Sequence, residues 1–454
     1  MTRQILRRGA ITTSGTGSRR SCCSGSPYAY VEGVETQAEQ GNHTMASARR
    51  RIWVQAFQHD QIARAKRSFA TRRVDVDSMQ TLIGGSVRPR SGDVVLASVR
   101  RLGQHRRIEQ PDGRRAALHL GDEIIVAYGD RYAPDQFESE VPTNLGPTQL
   151  VASGGVASSM LSRSMDVRNA TDIVPIGLVG DNRGRPLNVA DFALTPQTPE
   201  VPRPRTVAVI GTSMNSGKTT TVHYLVHGLS RGGFRPCSTK VTGTGSGGDY
   251  WVMLDAGAHR MLDFTDVGLA STYRQPITVV ERKFIELVDH LTASGSGVNL
   301  VEVADGIFQR ETAQLIESEV FHSNVDLVLF AANDAMGAVL GVNHLRGLGF
   351  DVIGVSGRIT RSPLSVREAR LATELPVLGI SELGDPEIAP GLLGLDPTLL
   401  DQPFVPAQAA WPISVPGLEA AEMLDGEIDD DDSFLDECFV RSQELVGNMV
   451  PDQR

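Results

Sequence analysis

Apolar and polar positions follow two different rhythms along this chain, and the change falls near residue 195. Between Arg51 and about Leu194 the apolar runs are short, as in Asp93–Val99 and Glu123–Tyr128, and turn signals such as Pro111-Asp112-Gly113 break them. Short β-branched runs between turn residues predict strands, so 51–194 is expected to form a β-rich domain, a small barrel being one arrangement. From residue 206 onward, apolar runs at 206–210, 298–303, 325–332 and 351–355 alternate with stretches of helical period. Val222, Leu225, Val226 and Leu229 share one helical face, as do Val280, Phe284, Leu287, Val288 and Leu291. Strands alternating with helices predict a parallel sheet covered on both sides, so the expected fold class is α/β: a C-terminal parallel-sheet domain over 206–385 behind the β-rich one.

Composition sharpens the boundaries. Residues 195–205 contain four prolines, which lack a backbone donor and favour extended chain, and are read as the linker. Residues 1–48 are rich in Ser, Gly, Thr and Arg without periodicity, which predicts a disordered basic segment. Residues 386–454, with the run Asp429–Asp432, are expected to be an acidic, partly disordered tail.

The net charge of -10 hides an asymmetry: residues 1–120 carry 21 Lys/Arg against 9 Asp/Glu, so the remainder stands at -22. The arginines of the basic part are scattered and have few aromatics among them to stack bases, so nucleic acid is not an expected partner. No stretch reaches the roughly 18 apolar residues of a membrane span, and the basic N-terminus lacks the apolar core of a secretory signal. Cys22, Cys23, Cys237 and Cys438 make no C-x-x-C spacing, and reduced thiols are expected. The reading is a cytoplasmic protein acting on a small-molecule substrate without a membrane partner, homodimer formation being left open.

Chemistry concentrates after the strand Thr206–Ile210, in Gly211-Thr212-Ser213-Met214-Asn215-Ser216-Gly217-Lys218-Thr219-Thr220, which runs into an amphipathic helix. Glycines let backbone N–H groups converge on phosphate oxygens, and the helix N-terminus adds a partial positive charge. Lys218 is placed to reach the β- and γ-phosphates, and the Thr219 hydroxyl to ligate Mg²⁺. Gly211, Thr212, Asn215, Ser216, Gly217, Lys218, Thr219 and Thr220 are therefore the expected nucleotide-binding residues.

Five residues separate Gly211 from Gly217, one more than the common phosphate loop has. This longer loop, opening Gly-Thr and closing Gly-Lys-Thr, resembles that of dethiobiotin synthetase and its relatives in the signal-recognition/MinD/BioD class of P-loop NTPases. Met214 and Asn215 stand where the MinD-type loop differs, and the extra signature lysine of that branch is absent, so the likeness is to the small-molecule ligases. Phe234–Gly243 looks like the family's second strand, ending in Lys240, and Asn299–Gly306 like the strand that carries its glutamate. Gly341-Val342-Asn343-His344 looks like its Asn-His helix, and Leu375–Gly379 like its last strand. The stretch Lys240–Asp249, with Asp255–Ala258, also resembles the GTP-binding adaptor of molybdopterin-guanine dinucleotide synthesis and the P-loop family that includes D-glutamate N-acetyltransferase.

The resemblance spans about 206–385 and implies roles. Lys240 would face substrate and γ-phosphate as a catalytic residue beside Lys218, while Glu302 and Asp249 would join Thr219 at Mg²⁺. Asp255, Asp263 and Asp266 are alternatives to Asp249. Asp305 supports the metal site or only shapes a turn, and His344 caps or packs its helix. Val303-Ala304-Asp305-Gly306 replaces the family's Gly-rich segment, and Ser356-Gly357 its expected Asn, which leaves adenine against guanine open. The leading expectation is an ATP- and Mg²⁺-dependent ligase or transferase activating a small metabolite. The rivals are a nucleotide-dependent adaptor or assembly NTPase, and a group transferase whose loop holds cofactor phosphates such as those of coenzyme A.

Overall fold

The structure is a computed structural model that describes residues 52–396, 398 and 400. The segment 1–48 and most of the tail 386–454 lie outside the described residues.

In the N-terminal half, apolar runs become strands buried on both faces. Side chains alternate across a strand, and along Val94–Arg101 they alternate between two cores: Val94 and Leu96 pack into one, and Val95, Ala97 and Val99 into the other. Glu123–Tyr128 does the same, with Ile125 and Ala127 against Ile124, Val126 and Tyr128. These strands belong to a ten-stranded, mostly antiparallel sheet. Thr171–Gly180 pairs with Val94–Arg101, which pairs with Glu123–Tyr128, which meets Val156–Arg163 in parallel. Thr148–Ala152 then joins Val156–Arg163 back to Thr171–Gly180, so the pairing closes on itself as in a small barrel. A short hairpin, Arg131–Tyr132 with Phe137–Glu140, extends from the ring through Val156–Arg163.

The C-terminal half is a six-stranded parallel sheet in the order Arg260–Asp263, Pro236–Lys240, Val298–Glu302, Thr206–Gly211, Leu327–Ala331, Val352–Ser356. Helix Lys218–Arg231 seats Val222, Leu225, Val226 and Leu229 against Val207 and Val209 on one face. Helix Ile277–Ala293 seats Val280, Phe284, Leu287, Val288 and Leu291 on the opposite side, with Ala208 and Ile210. Thr206–Gly211 is central, so its loop opens at the carboxyl edge of the sheet, where α/β folds of this kind bind ligands. An N-terminal β-rich sheet followed by this covered parallel sheet is the expected α/β architecture.

One element differs from the sequence reading. Leu375–Gly379, expected as a last strand, makes a single parallel bridge, Val355 to Val377. Val355 N–H donates to the Pro376 carbonyl and Leu378 N–H to the Val355 carbonyl, but Pro376 has no N–H with which to continue the ladder.

Candidate functional site

The loop between Gly211 and Lys218 is shaped by its own backbone. Asn215 (φ 60) and Gly217 (φ 97) are left-handed, a conformation Asn tolerates and Gly adopts freely. Gly217 precedes helix Lys218–Arg231 and no side chain caps the helix start, so its first N–H groups stay available for an anion. The walls are close. A Cβ on Gly306 would lie 2.4 Å from the Thr212 carbonyl, and one on Gly357 2.3 Å from the Ser216 carbonyl. Asn333, just past strand Leu327–Ala331, donates to Ser213 Oγ at 3.1 Å.

Lys218 is buried and bends over the loop, donating to the Ser213 carbonyl at 2.8 Å. Burial pulls its pKa down to about 8 despite the opposing charges of Glu302 and Asp305. The Ser216 hydroxyl is also buried and has no hydrogen-bond partner. An electron-rich oxyanion resting in this loop would satisfy both groups.

Beside the lysine, the Thr219 hydroxyl donates to Glu302 Oε1 at 3.0 Å, while Glu302 Oε2 is buried and unpartnered. Burial raises the Glu302 pKa, with nearby Asp249 adding to the rise and Lys240 and Lys218 opposing it. Lys240, at the end of strand Pro236–Lys240, is paired with Asp249 and lies 3.8 Å from Glu302 Oε1. Burial opposes its charge, but the two carboxylates outweigh that and hold its pKa above the ordinary value. Thr219, Lys240, Asp249 and Glu302 thus form one cluster. Asp263 and Asp266 lie elsewhere, in ion pairs with Arg72 of the N-terminal half. Asp255 ends helix Gly248–Asp255, whose first turn carries Asp249. His344 faces the ring of Phe308 at 6.2 Å and takes no part in the cluster's hydrogen bonds.

The donors at Thr219 and Glu302 are oxygens, and the bare Glu302 oxygen gives a cation something to bind. This fits Mg²⁺, which uses one or two protein carboxylates with phosphates and water. Among the described residues no group of three or more His, Cys, Asp or Glu could form a protein-only cage.

Asp305 is buried with a positive φ of 62, and burial lifts its pKa to about 6 against the charges of Lys218, Lys240 and Arg131. The N-terminal half reaches the same region. Asp135, in the turn of the short hairpin, accepts from Asn215 Nδ2 at 2.8 Å. Buried Glu109 accepts from Gly247 N–H at 2.6 Å and from Ser246 Oγ at 3.3 Å, fixing the loop before Asp249. Sequence reasoning missed Glu109, Arg131, Asp135 and Asn333. Nothing local marks them, because their meaning comes from contacts more than 79 residues away in sequence or from the fold as a whole.

Among the described residues no helix is long and apolar enough to cross a membrane. No protein-family model matches the chain, and no curated protein matches it. Among solved structures, a DUF1611-family protein from Anabaena variabilis is 14% identical over 46% of this chain and 63% of its own length, with a TM-score of 0.32. The signal recognition particle 54 kDa protein of Aeropyrum pernix, solved with GDP, is 18% identical over 45% of this chain and 50% of its own, at 0.29. The signal recognition particle receptor FtsY of Elizabethkingia anophelis is 12% identical over 46% and 76%, at 0.29. The chain spans less than two thirds of the first two. Such distant likenesses identify no family, and the P-loop NTPase-like fold of the C-terminal half stands on its own strand order and loop.

Proposed function

We propose that the chain is an enzyme that binds a nucleoside triphosphate, expected to be ATP, in the Gly211–Thr220 loop and transfers its γ-phosphoryl group to a small metabolite. The observation that carries this reading is the Thr219–Glu302 pair with its bare carboxylate oxygen, set beside a buried lysine over a phosphate-shaped loop. Lys218 exchanges the Ser213 carbonyl for β- and γ-phosphate oxygens, regaining in the complex the charge compensation that burial denies it. Lys240 stands where negative charge grows during transfer, held there by Asp249, and a preorganised cation of this kind is worth about 3 kcal/mol of barrier. Thr219 and Glu302 would hold Mg²⁺, which would supply positive charge to offset that of the phosphates. GTP is the competing nucleotide, because Ser356-Gly357 stands where the resembling family has its expected Asn.

The test is purified protein with ATP or GTP, Mg²⁺ and fractionated metabolites, read as diphosphate release. Metabolite-stimulated release supports the transferase. Slow hydrolysis stimulated only by another protein supports the adaptor, and nucleotide binding without turnover the cofactor-holding alternative. Lys218→Ala is expected to abolish nucleotide binding while the melting curve stays cooperative. Glu302→Gln is expected to keep nucleotide affinity within a few-fold and lose Mg²⁺-dependent turnover at least a hundredfold, because the amide keeps the shape and loses the charge. Normal turnover by either variant removes that residue from the mechanism.

A further inference from the structure

Arg131 is the first residue of the short hairpin whose turn touches the phosphate loop through Asp135 and Asn215. Its side chain is buried, yet among the described residues it makes no ion pair within 4 Å. Gln136 Oε1 accepts from one terminal nitrogen at 2.9 Å. The other lies 3.2 Å from His105 Nε2, but that nitrogen also sits 2.9 Å from the Val151 carbonyl. When His105 donates to the carbonyl, it offers the arginine no lone pair. The Nε–H of Arg131 has no partner at all. The Phe137 ring, 5.8 Å away, adds only weak compensation.

An arginine stays charged at any ordinary pH, and leaving such a charge buried with mostly neutral neighbours is costly. Burial lowers its pKa to about 10, and the carboxylates that oppose this are Asp135, Asp305 and Glu109. Each of the three belongs to the rim of the nucleotide site: Asp135 holds the phosphate loop, Glu109 holds the loop before Asp249, and Asp305 flanks Lys218. The N-terminal sheet therefore carries a planar, undersatisfied cation on the hairpin that touches the phosphate loop.

We propose that Arg131 binds an oxyanion in the reacting complex, either the γ-phosphoryl group of the nucleotide or a carboxylate of the acceptor metabolite. The unpartnered Nε–H, with the terminal nitrogen that would leave Gln136, matches either group in two-point contact. The N-terminal half then completes the site in cis rather than merely covering it. This rests on the phosphoryl-transfer reading above.

The experiment compares wild type with Arg131→Met and Arg131→Lys by calorimetry. The probes are ADP and β,γ-imido-ATP with Mg²⁺, and glutarate added to the protein saturated with the imido nucleotide. If the γ-phosphoryl group is the ligand, Arg131→Met loses at least tenfold of the preference for imido-ATP over ADP, and Arg131→Lys recovers part of it. If the acceptor is the ligand, both nucleotides bind as in wild type and glutarate binding disappears. In either case the ligand-free Arg131→Met protein melts higher than wild type, since an uncompensated buried charge has been removed. Unchanged binding of all three probes overturns the inference. So does a lower melting temperature or misfolding in both variants, which marks Arg131 as a structural residue. Wild type that binds no nucleotide overturns the phosphoryl-transfer reading and this one with it, whereas normal wild-type binding with an indifferent variant overturns this one alone.

Discussion

Asp305 carries two costs at one position, a left-handed backbone and a buried carboxyl whose pKa is lifted to about 6 from 3.8. Strain and burial of this kind persist where the surrounding structure enforces them, and functional sites are where they gather. Between pH 4 and 6 the folded chain holds the Asp305 proton while the unfolded chain has released it. Stability from this group is therefore present below the unfolded value and is lost as pH rises through about 6. The shift corresponds to at most about 3 kcal/mol. Asn keeps the left-handed backbone without the charge, so Asp305→Asn is expected to flatten the stability profile across this window and to exceed wild type above pH 6. Urea unfolding of the ligand-free protein at pH 4.5 and 7.5 measures it. Equal differences at the two pH values would show that the carboxyl does not titrate in this range.

Among the elements, the phosphate loop was legible because its chemistry is contiguous: strand, glycines, Lys218, Thr219 and helix follow one another in the chain. Glu302 was legible because it ends an apolar strand, where a charge needs a reason, and Lys240 because Phe234–Gly243 resembles the second strand of the dethiobiotin synthetase-like family. The last expected strand was not, since the apolar pattern of Leu375–Gly379 says nothing of the missing N–H at Pro376. Nor could the sequence show how tightly the loop is walled. Gly357 sits at φ 95 with its Cα side against the Ser216 carbonyl, where a Cβ would come within 2.3 Å of backbone. Neither the positive φ nor the contact tolerates a side chain. Gly357→Ala should push the Ser216–Gly217 peptide out of place, weakening nucleotide affinity at least tenfold while Mg²⁺ dependence remains. Wild-type affinity in this variant would mean that the loop and the Ser356–Gly357 wall move independently.

At the scale of the molecule, the unseen part of the site is the union of two sheets, and Arg72 ties them through buried ion pairs. The guanidinium sits 3.9 Å over the Phe69 ring, reaches Asp263 at 3.2 Å and Asp266 at 2.7 Å, and hydrogen-bonds Thr265. Both carboxylates are buried, and burial raises the Asp266 pKa against the pull of Arg72. Nothing in the sequence pairs residue 72 with residues 263 and 266, because the ends of that contact belong to differently patterned halves. Removing the arginine leaves buried Asp263 without its cation and Asp266 with only Arg73 at 3.8 Å, and breaking a buried pair in this way costs about 3–5 kcal/mol. Arg72→Leu is therefore expected to lower the unfolding free energy by that amount at pH 7.5. The sign of its pH dependence follows from the same linkage. Without Arg72 the Asp266 pKa rises further above the unfolded value, so its destabilisation is full above the folded pKa and fades as it protonates. The deficit should shrink between pH 7.5 and 5. If the variant unfolds in two transitions where wild type unfolds in one, the N-terminal sheet and the parallel sheet are joined chiefly through this cluster. A deficit below about 1 kcal/mol at pH 7.5, against the cost of a broken buried pair, would assign the union to contacts such as the hydrogen bonds of Glu109 and Asp135 instead.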